Sequence, residues 1–102
     1  MKLISWNVNG IRAAAKHGLA LFLQAEKPDI FCVQEVKISD SARLETKLDF
    51  SNYTEYWHSA KRPGYSGTAI FVKAGFSGVL QVKNGIGIAK FDEEGRVQTL
   101  EL

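Results

Sequence analysis

Lys2-Leu3-Ile4-Ser5-Trp6-Asn7-Val8 is followed by Asn9-Gly10, then by a run from Ile11 to Glu26, then by Lys27-Pro28-Asp29 and Ile30-Phe31-Cys32-Val33. The first seven residues alternate roughly and are rich in strand formers, which predicts a strand with one largely buried face. Asn9 and Gly10 both tolerate positive φ and end it. From Ile11 the period changes: Ile11, Ala15, Leu19, Phe22 and Leu23 recur at helical spacing. Lys27-Pro28 closes the helix, because the residue before proline avoids the α region. Gly18 weakens it by ~1 kcal/mol relative to alanine. The unbroken apolar run Ile30 to Val33 is what a strand covered on both faces looks like. Strand, helix, strand is a βαβ unit, so the first two strands should lie parallel through a right-handed crossover.

Working outward, Ser41 to Phe50 reads as a short helix with Leu44 and Leu48 inward, and Tyr53 to Ser59 as an aromatic strand. Lys61 to Gly67 is a loop by composition. Thr68 to Lys73 is an apolar strand and Val79 to Lys83 a weaker one. Ile86 to Phe91 and Arg96 to Leu102 flank Asp92-Glu93-Glu94-Gly95, a hairpin signal. Trp6, Trp57 and Phe71 read as core, and His58 as structural. The fold class is α/β, shading to α+β in the strand-rich second half.

At 102 residues, 45% of them apolar, the chain fits one domain and excludes disorder. Its longest apolar run, Leu19 to Leu23, is far short of the ~20 residues of a membrane helix, and no signal-peptide core is visible. Cys32 is the single cysteine, which fits a reducing, cytoplasmic setting. A net charge of +2 is too small to argue for nucleic acid by itself. The chain stops at Leu102 in an apparent strand, so the expectation is a partial domain, 1–102, truncated at its carboxyl end.

Asn7 and Asn9 stand two apart at the end of the first strand, on one face, and Glu35 just past the second strand. Parallel neighbours would bring both to their carboxyl ends, where open α/β sheets build sites. A carboxylate with amide oxygens beside it suits a hard cation such as Mg²⁺. His17, His58 and Cys32 show no zinc-ligand spacing. The plainer alternatives are a simple Asn-x-Asn-Gly turn, a solvated Glu35, or a surface Glu35–Lys37 pair worth under ~1 kcal/mol. In the 61–67 loop, Lys61 and Arg62 could meet phosphates and Tyr65 a sugar or base, with Gly67 allowing close approach. An ordinary basic loop is the better reading of Lys61 and Arg62. Arg12 at a helix start opposes the dipole, which an incoming phosphate or a nearby Glu35 would explain. No Gly-x-Ser-x-Gly elbow, P-loop or paired-cysteine motif occurs.

Four segments in order, Ile4-Ser5-Trp6-Asn7-Val8-Asn9-Gly10-Ile11-Arg12, Pro28-Asp29-Ile30 leading to Val33-Gln34-Glu35-Val36-Lys37, Gly64-Tyr65-Ser66-Gly67-Thr68-Ala69, and Glu94-Gly95-Arg96-Val97, carry a likeness. They resemble the amino-terminal part of the exonuclease III family of apurinic/apyrimidinic endonucleases, within the endonuclease/exonuclease/phosphatase superfamily. The resemblance covers essentially the whole chain, and its last two segments favour the DNA-repair branch. It implies two packed sheets flanked by helices, this chain supplying most of one sheet and its covering helix. It also implies a phosphodiesterase using Mg²⁺, or Mn²⁺ in its place, on duplex DNA at abasic sites and 3′ ends. Glu35 matches the family's metal-binding glutamate, and Asn7 the asparagine that supports metal and phosphate. Asn9 stands where some relatives have aspartate, and a neutral amide binds a cation less strongly. Lys37 lies beside the metal glutamate, while Arg12, Tyr65 and Arg96 match positions that approach the DNA backbone. Gln34-Glu35-Val36-Lys37 departs mildly from the family's glutamine-glutamate-threonine-lysine. The family's tyrosine, aspartate-x-asparagine and aspartate-histidine elements have no counterpart here, so the chain alone is expected to be inactive. Ile70, Phe71, Val97 and Leu100 are expected to lack cover and to drive self-association. The other readings are a relative cleaving another phosphodiester or phosphomonoester, and a non-catalytic module binding nucleic acid or a partner.

Overall fold

The computed structural model describes residues Met1–Leu102. β1 (Leu3–Asn7) and β2 (Ile30–Gln34) run parallel, with Leu3 opposite Ile30 and Asn7 opposite Gln34, as the βαβ reading expects. β4 (Thr68–Lys73) pairs antiparallel with β2, and β3 (Tyr53–His58) antiparallel with β4, in the order β1-β2-β4-β3. β5 (Gln81–Asn84) and β6 (Gln98–Glu101) form a second, antiparallel sheet. The architecture is mixed α/β with two sheets.

Strand alternation decides which residues go where. Ile4, Trp6, Phe31, Val33, Ala69, Phe71 and Trp57 project to one side, where Ile11 of α1 (Ile11–Lys16) and Leu19 and Leu23 of α2 (Leu19–Glu26) cover them. Phe71 sits at the centre of this layer, with ring centroids 4.3 Å from Phe50, 5.5 Å from Trp57 and 5.9 Å from Phe31. Ile30, Ile70 and Val72 project to the other side, against Tyr56, Val82 and Leu100. Covering on both faces is why β2 and β4 read as unbroken apolar runs.

Several expectations need correction. The single helix is two, because Gly18 takes φ 108 at the N-cap of α2. With α1 ending at Lys16, Leu19 no longer sets its inward face; Ala14, three residues after Ile11, packs on the core and Ala15 is exposed. The Ser41–Phe50 helix is only one and a half turns, α3 (Asp40–Glu45), started by Ser39 Oγ accepting from the Ala42 N–H at 3.2 Å. Leu48 does pack inward, but Leu44 is 80% exposed, because Ala42 takes the inward face of α3. Ile86–Phe91 is not a strand. Asp92 accepts the Ile86 and Gly87 N–H groups at 2.9 and 3.0 Å, curling that segment into a loop and the single turn α4 (Ala89–Asp92). The partner of β6 is therefore β5. Finally, Phe71 and Ile70 are buried, at 0% and 5% exposure, under the helices and the second sheet respectively. Leu100 is half-buried, and of the four only Val97 is exposed.

Candidate functional site

Asn7 is the last residue of β1, and Glu35 the first after β2, so the parallel pairing brings them side by side. The loops that follow are left-handed at several positions: Asn9 (φ 46), Glu35 (φ 53), Lys37 (φ 52) and Ser66 (φ 48). Side-chain-bearing residues adopt this backbone at a cost of roughly 1–2 kcal/mol each. Long-range backbone hydrogen bonds hold it. Gly10 and Ile11 N–H donate to the Glu35 and Val36 carbonyls at 2.7 and 2.9 Å, and Val36 and Lys37 N–H donate to the Gly67 and Ser66 carbonyls at 3.1 and 2.8 Å. Gly67 is required here by packing. A Cβ built on it would stand 2.9 Å from Cγ2 of the fully buried Val36, directly behind Glu35.

The side chains close a polar ring. Asn7 Nδ2 donates to Glu35 Oε2 at 2.5 Å, and Asn7 Oδ1 accepts the Asn9 N–H at 3.0 Å. Lys37 Nζ donates to Asn9 Oδ1 at 2.5 Å and lies 3.6 Å from Glu35 Oε1. The Asn7 amide holds the Glu35 carboxyl below its ordinary range; partial burial opposes this, and the Lys37 and Arg96 charges reinforce it. Arg96 Nη2 donates to Tyr65 Oη at 3.1 Å, which raises the guanidinium further above its ordinary value. Arg12 Nη2 sits 3.5 Å from the Lys37 carbonyl, at the long limit of a hydrogen bond.

The structure thus brings Asn7, Asn9, Glu35 and Lys37 into contact, borders them with Arg12, and sets Tyr65 and Arg96 as a pair alongside. His58 stays out. It lies at the far end of the paired row Asn7, Gln34, Thr68, His58, three strand spacings or about 14 Å from Asn7. Ser66, which sequence reasoning passed over, supports the site through its backbone carbonyl; only the Tyr-Ser-Gly turn composition hinted at it. The donor set is oxygen-only, and no three His, Cys, Asp or Glu residues cluster anywhere as a closed metal cage. Glu35 keeps 39% of its side chain exposed, so it has lone pairs to offer a hard, water-rich cation.

Residues 4–95 match the Endonuclease/Exonuclease/phosphatase family. The chain is 49% identical over 102 residues to an exodeoxyribonuclease of Bacillus subtilis (strain 168), covering 99% of this chain and 38% of that one. It is 38% identical over 101 residues to a DNA-(apurinic or apyrimidinic site) endonuclease of Dictyostelium discoideum, covering 99% and 27%. Among solved structures, the AP endonuclease LMAP from Leishmania major superposes with a TM-score of 0.77 at 34% identity, over 97% of this chain and 34% of that one. The chain spans 27% to 38% of the length of these relatives. With the four sequence segments and the two-sheet fold in agreement, the chain belongs to the endonuclease/exonuclease/phosphatase family.

Proposed function

We propose that this chain carries the cation-holding and phosphate-gripping edge of a Mg²⁺-dependent DNA-repair nuclease that cleaves duplex DNA at abasic sites and 3′ ends. One observation carries the reading: Glu35, oriented by Asn7, stands as an exposed carboxylate among Lys37, Arg12 and Arg96. A single carboxylate suits Mg²⁺, which keeps several waters and shares its shell with substrate phosphates, and Mn²⁺ accepts the same donors. Glu35 would hold the cation, which when bound supplies a Lewis acid at a phosphoryl oxygen. Asn7 fixes the carboxylate, since its own amide oxygen is engaged by the Asn9 N–H. Asn9 orients Lys37. Arg12, Lys37, Tyr65 and Arg96 offer donors to backbone phosphates, and Gly67 lets Val36 pack behind the site. The relatives' names support DNA as the substrate class. Partial coverage of each relative supports reading residues 1–102 as part of one domain.

In-line displacement also needs an aimed water and a base. Glu35, already held by Asn7, supplies neither, so the 102 residues bind without cleaving. Titration with Mn²⁺, followed by water-proton relaxation, tests the site: Glu35→Ala should lose the binding seen in wild type. Equal affinities would remove Glu35 from it. Incision of an abasic-site duplex by the purified chain in Mg²⁺ would overturn the claim of inactivity. The same reading extends to assembly: the unpaired edge of β6, beside exposed Val97 and Leu102, pairs with a second copy. Sedimentation at micromolar concentration checks this, and a monomer refutes it.

A further inference from the structure

Arg62 reads from sequence as a solvated loop residue, yet the structure gives it a defined place. Its guanidinium carbon lies 5.1 Å from the centroid of the Tyr65 ring, and that of Arg96 lies 5.7 Å from the same centroid. Arg96 is further fixed by its hydrogen bond to Tyr65 Oη. Two like charges are therefore gathered on one phenol, the electron-rich ring partly offsetting their repulsion. Neither has a carboxylate partner. The four ion pairs of the chain use Lys37, Arg43, Lys61 and Lys73, so Lys61, the neighbour of Arg62, is already spent on Glu93. Arg62, Tyr65 and Lys90 line an open concavity of about 380 Å³ together with Lys61, Glu93 and Glu94. Glu93 faces Lys61, and Glu94 adds its charge to the field at Arg96. Arg62 and Lys90 form no ion pair at this rim.

A guanidinium with no carboxylate keeps its planar fork of donors free for a bidentate oxyanion. The Ser66 carbonyl, next in the chain to Tyr65, accepts the Lys37 N–H at 2.8 Å, and both arginines stand on the Tyr65 ring, so their donors lie beside the Glu35 loop. The ring of Tyr65 is engaged by guanidiniums, which argues against its use as a stacking platform for a base. We propose that Arg62 is a second phosphate fork, set beside Arg96 by their shared ring, so that the two arginines grip neighbouring phosphodiesters of one DNA strand leaving the Glu35 edge. This rests on the DNA reading above and adds to it a direction for the strand and a residue outside the family segments.

The test is duplex-DNA affinity of the 102-residue chain as a function of salt, for wild type, Arg62→Gln, Arg96→Gln and the double variant. Each neutralised phosphate contributes about 0.9 to the log–log slope. Each single variant should therefore flatten the slope by about one, and the double by about two. Equivalently, raising salt from 50 to 200 mM should weaken wild type ~3.5-fold more than Arg62→Gln. Arg62→Lys should keep most of the slope while binding more weakly, because it retains the charge and loses the fork. Arg62 is exposed and makes no hydrogen bond within the chain, so Arg62→Gln and Arg62→Lys leave the fold intact. If Arg96→Gln flattens the slope and Arg62→Gln does not, Arg62 is refuted and the DNA reading stands. A double variant no flatter than either single one refutes separate phosphates. A wild type without salt-dependent binding overturns both.

Discussion

Gly95→Ala is the substitution that most sharply tests how the second half of the chain is packed. Gly95 is buried with φ 59, and a Cβ built on it would stand 2.6 Å from the His58 carbonyl oxygen, 2.7 Å from the Ala60 nitrogen and 2.8 Å from the Ser59 carbonyl carbon. All three are backbone atoms, so no side chain can rotate away to make room. Gly64 provides the control: its φ is also positive, at 67, but nothing lies within 4 Å of its Cβ position. Placing alanine in a left-handed backbone costs roughly 1–2 kcal/mol, and both variants carry that. Gly95→Ala adds the overpacking term, typically about 1–3 kcal/mol. The expected losses are thus about 1–2 kcal/mol for Gly64→Ala and about 2–5 kcal/mol for Gly95→Ala, the latter a large share of the ~5–15 kcal/mol that holds a domain folded. Urea unfolding, read through Trp6 and Trp57 fluorescence, makes the comparison. With a slope near ~1 kcal/mol/M for a small chain, the two midpoints should separate by ~1–3 M. Midpoints within about half a molar of each other would show that the 58–60 backbone is not pressed against Gly95.

Phe71→Ala removes the ring that Phe31, Phe50 and Trp57 share and should destabilise by about 3–5 kcal/mol; a loss below ~1.5 kcal/mol would mean that the layer collapses to fill the hole. Asp29, Glu35 and Asp40 are held below the ordinary carboxylate range, chiefly by the Lys2 backbone N–H, the Asn7 amide and the Ser59 hydroxyl respectively. The unfolded chain then binds more protons than the native one just below pH ~4, so stability should be complete above the ordinary carboxyl values and fall as acid approaches the lowered native ones. Urea midpoints from pH about 3 to about 7 check the sign, and a chain more stable in acid contradicts it. Burial raises the Cys32 thiol, so alkylation at mildly alkaline pH should be much slower in the native chain than in urea, and equal rates would place Cys32 in solvent.

The parts of the fold legible in the sequence are those where burial writes itself into the pattern. β2 and β4 lie between helices and a second sheet, so Ile30 to Val33 and Ala69 to Val72 are apolar without interruption. The Asn7–Glu35 pairing was legible for the same reason, since two such strands joined by helix must run parallel. What escaped was decided elsewhere. Ile86 and Ile88 alternate as in a strand, but the Asp92 carboxylate captures the loop amides between them, a contact that hydrophobic pattern does not encode. Ala15 was misplaced because it was aligned with Leu19, which belongs to a separate helix beyond Gly18. The Arg62–Tyr65–Arg96 arrangement depends on a contact 31 positions apart, visible only once the second sheet brings Arg96 to the loop.

The left-handed residues around Glu35 also bear on motion. Gly10 and Ile11 donate to the loop after β2, and that loop donates in turn to Ser66 and Gly67, just before β4. No one of the three segments can release its amides without disturbing the next. In native-state hydrogen exchange the amides of Gly10, Ile11, Val36 and Lys37 should therefore behave as one cooperative unit, with protection nearer that of the central strands than of surface loops. An edge built from turns would then keep time with the core.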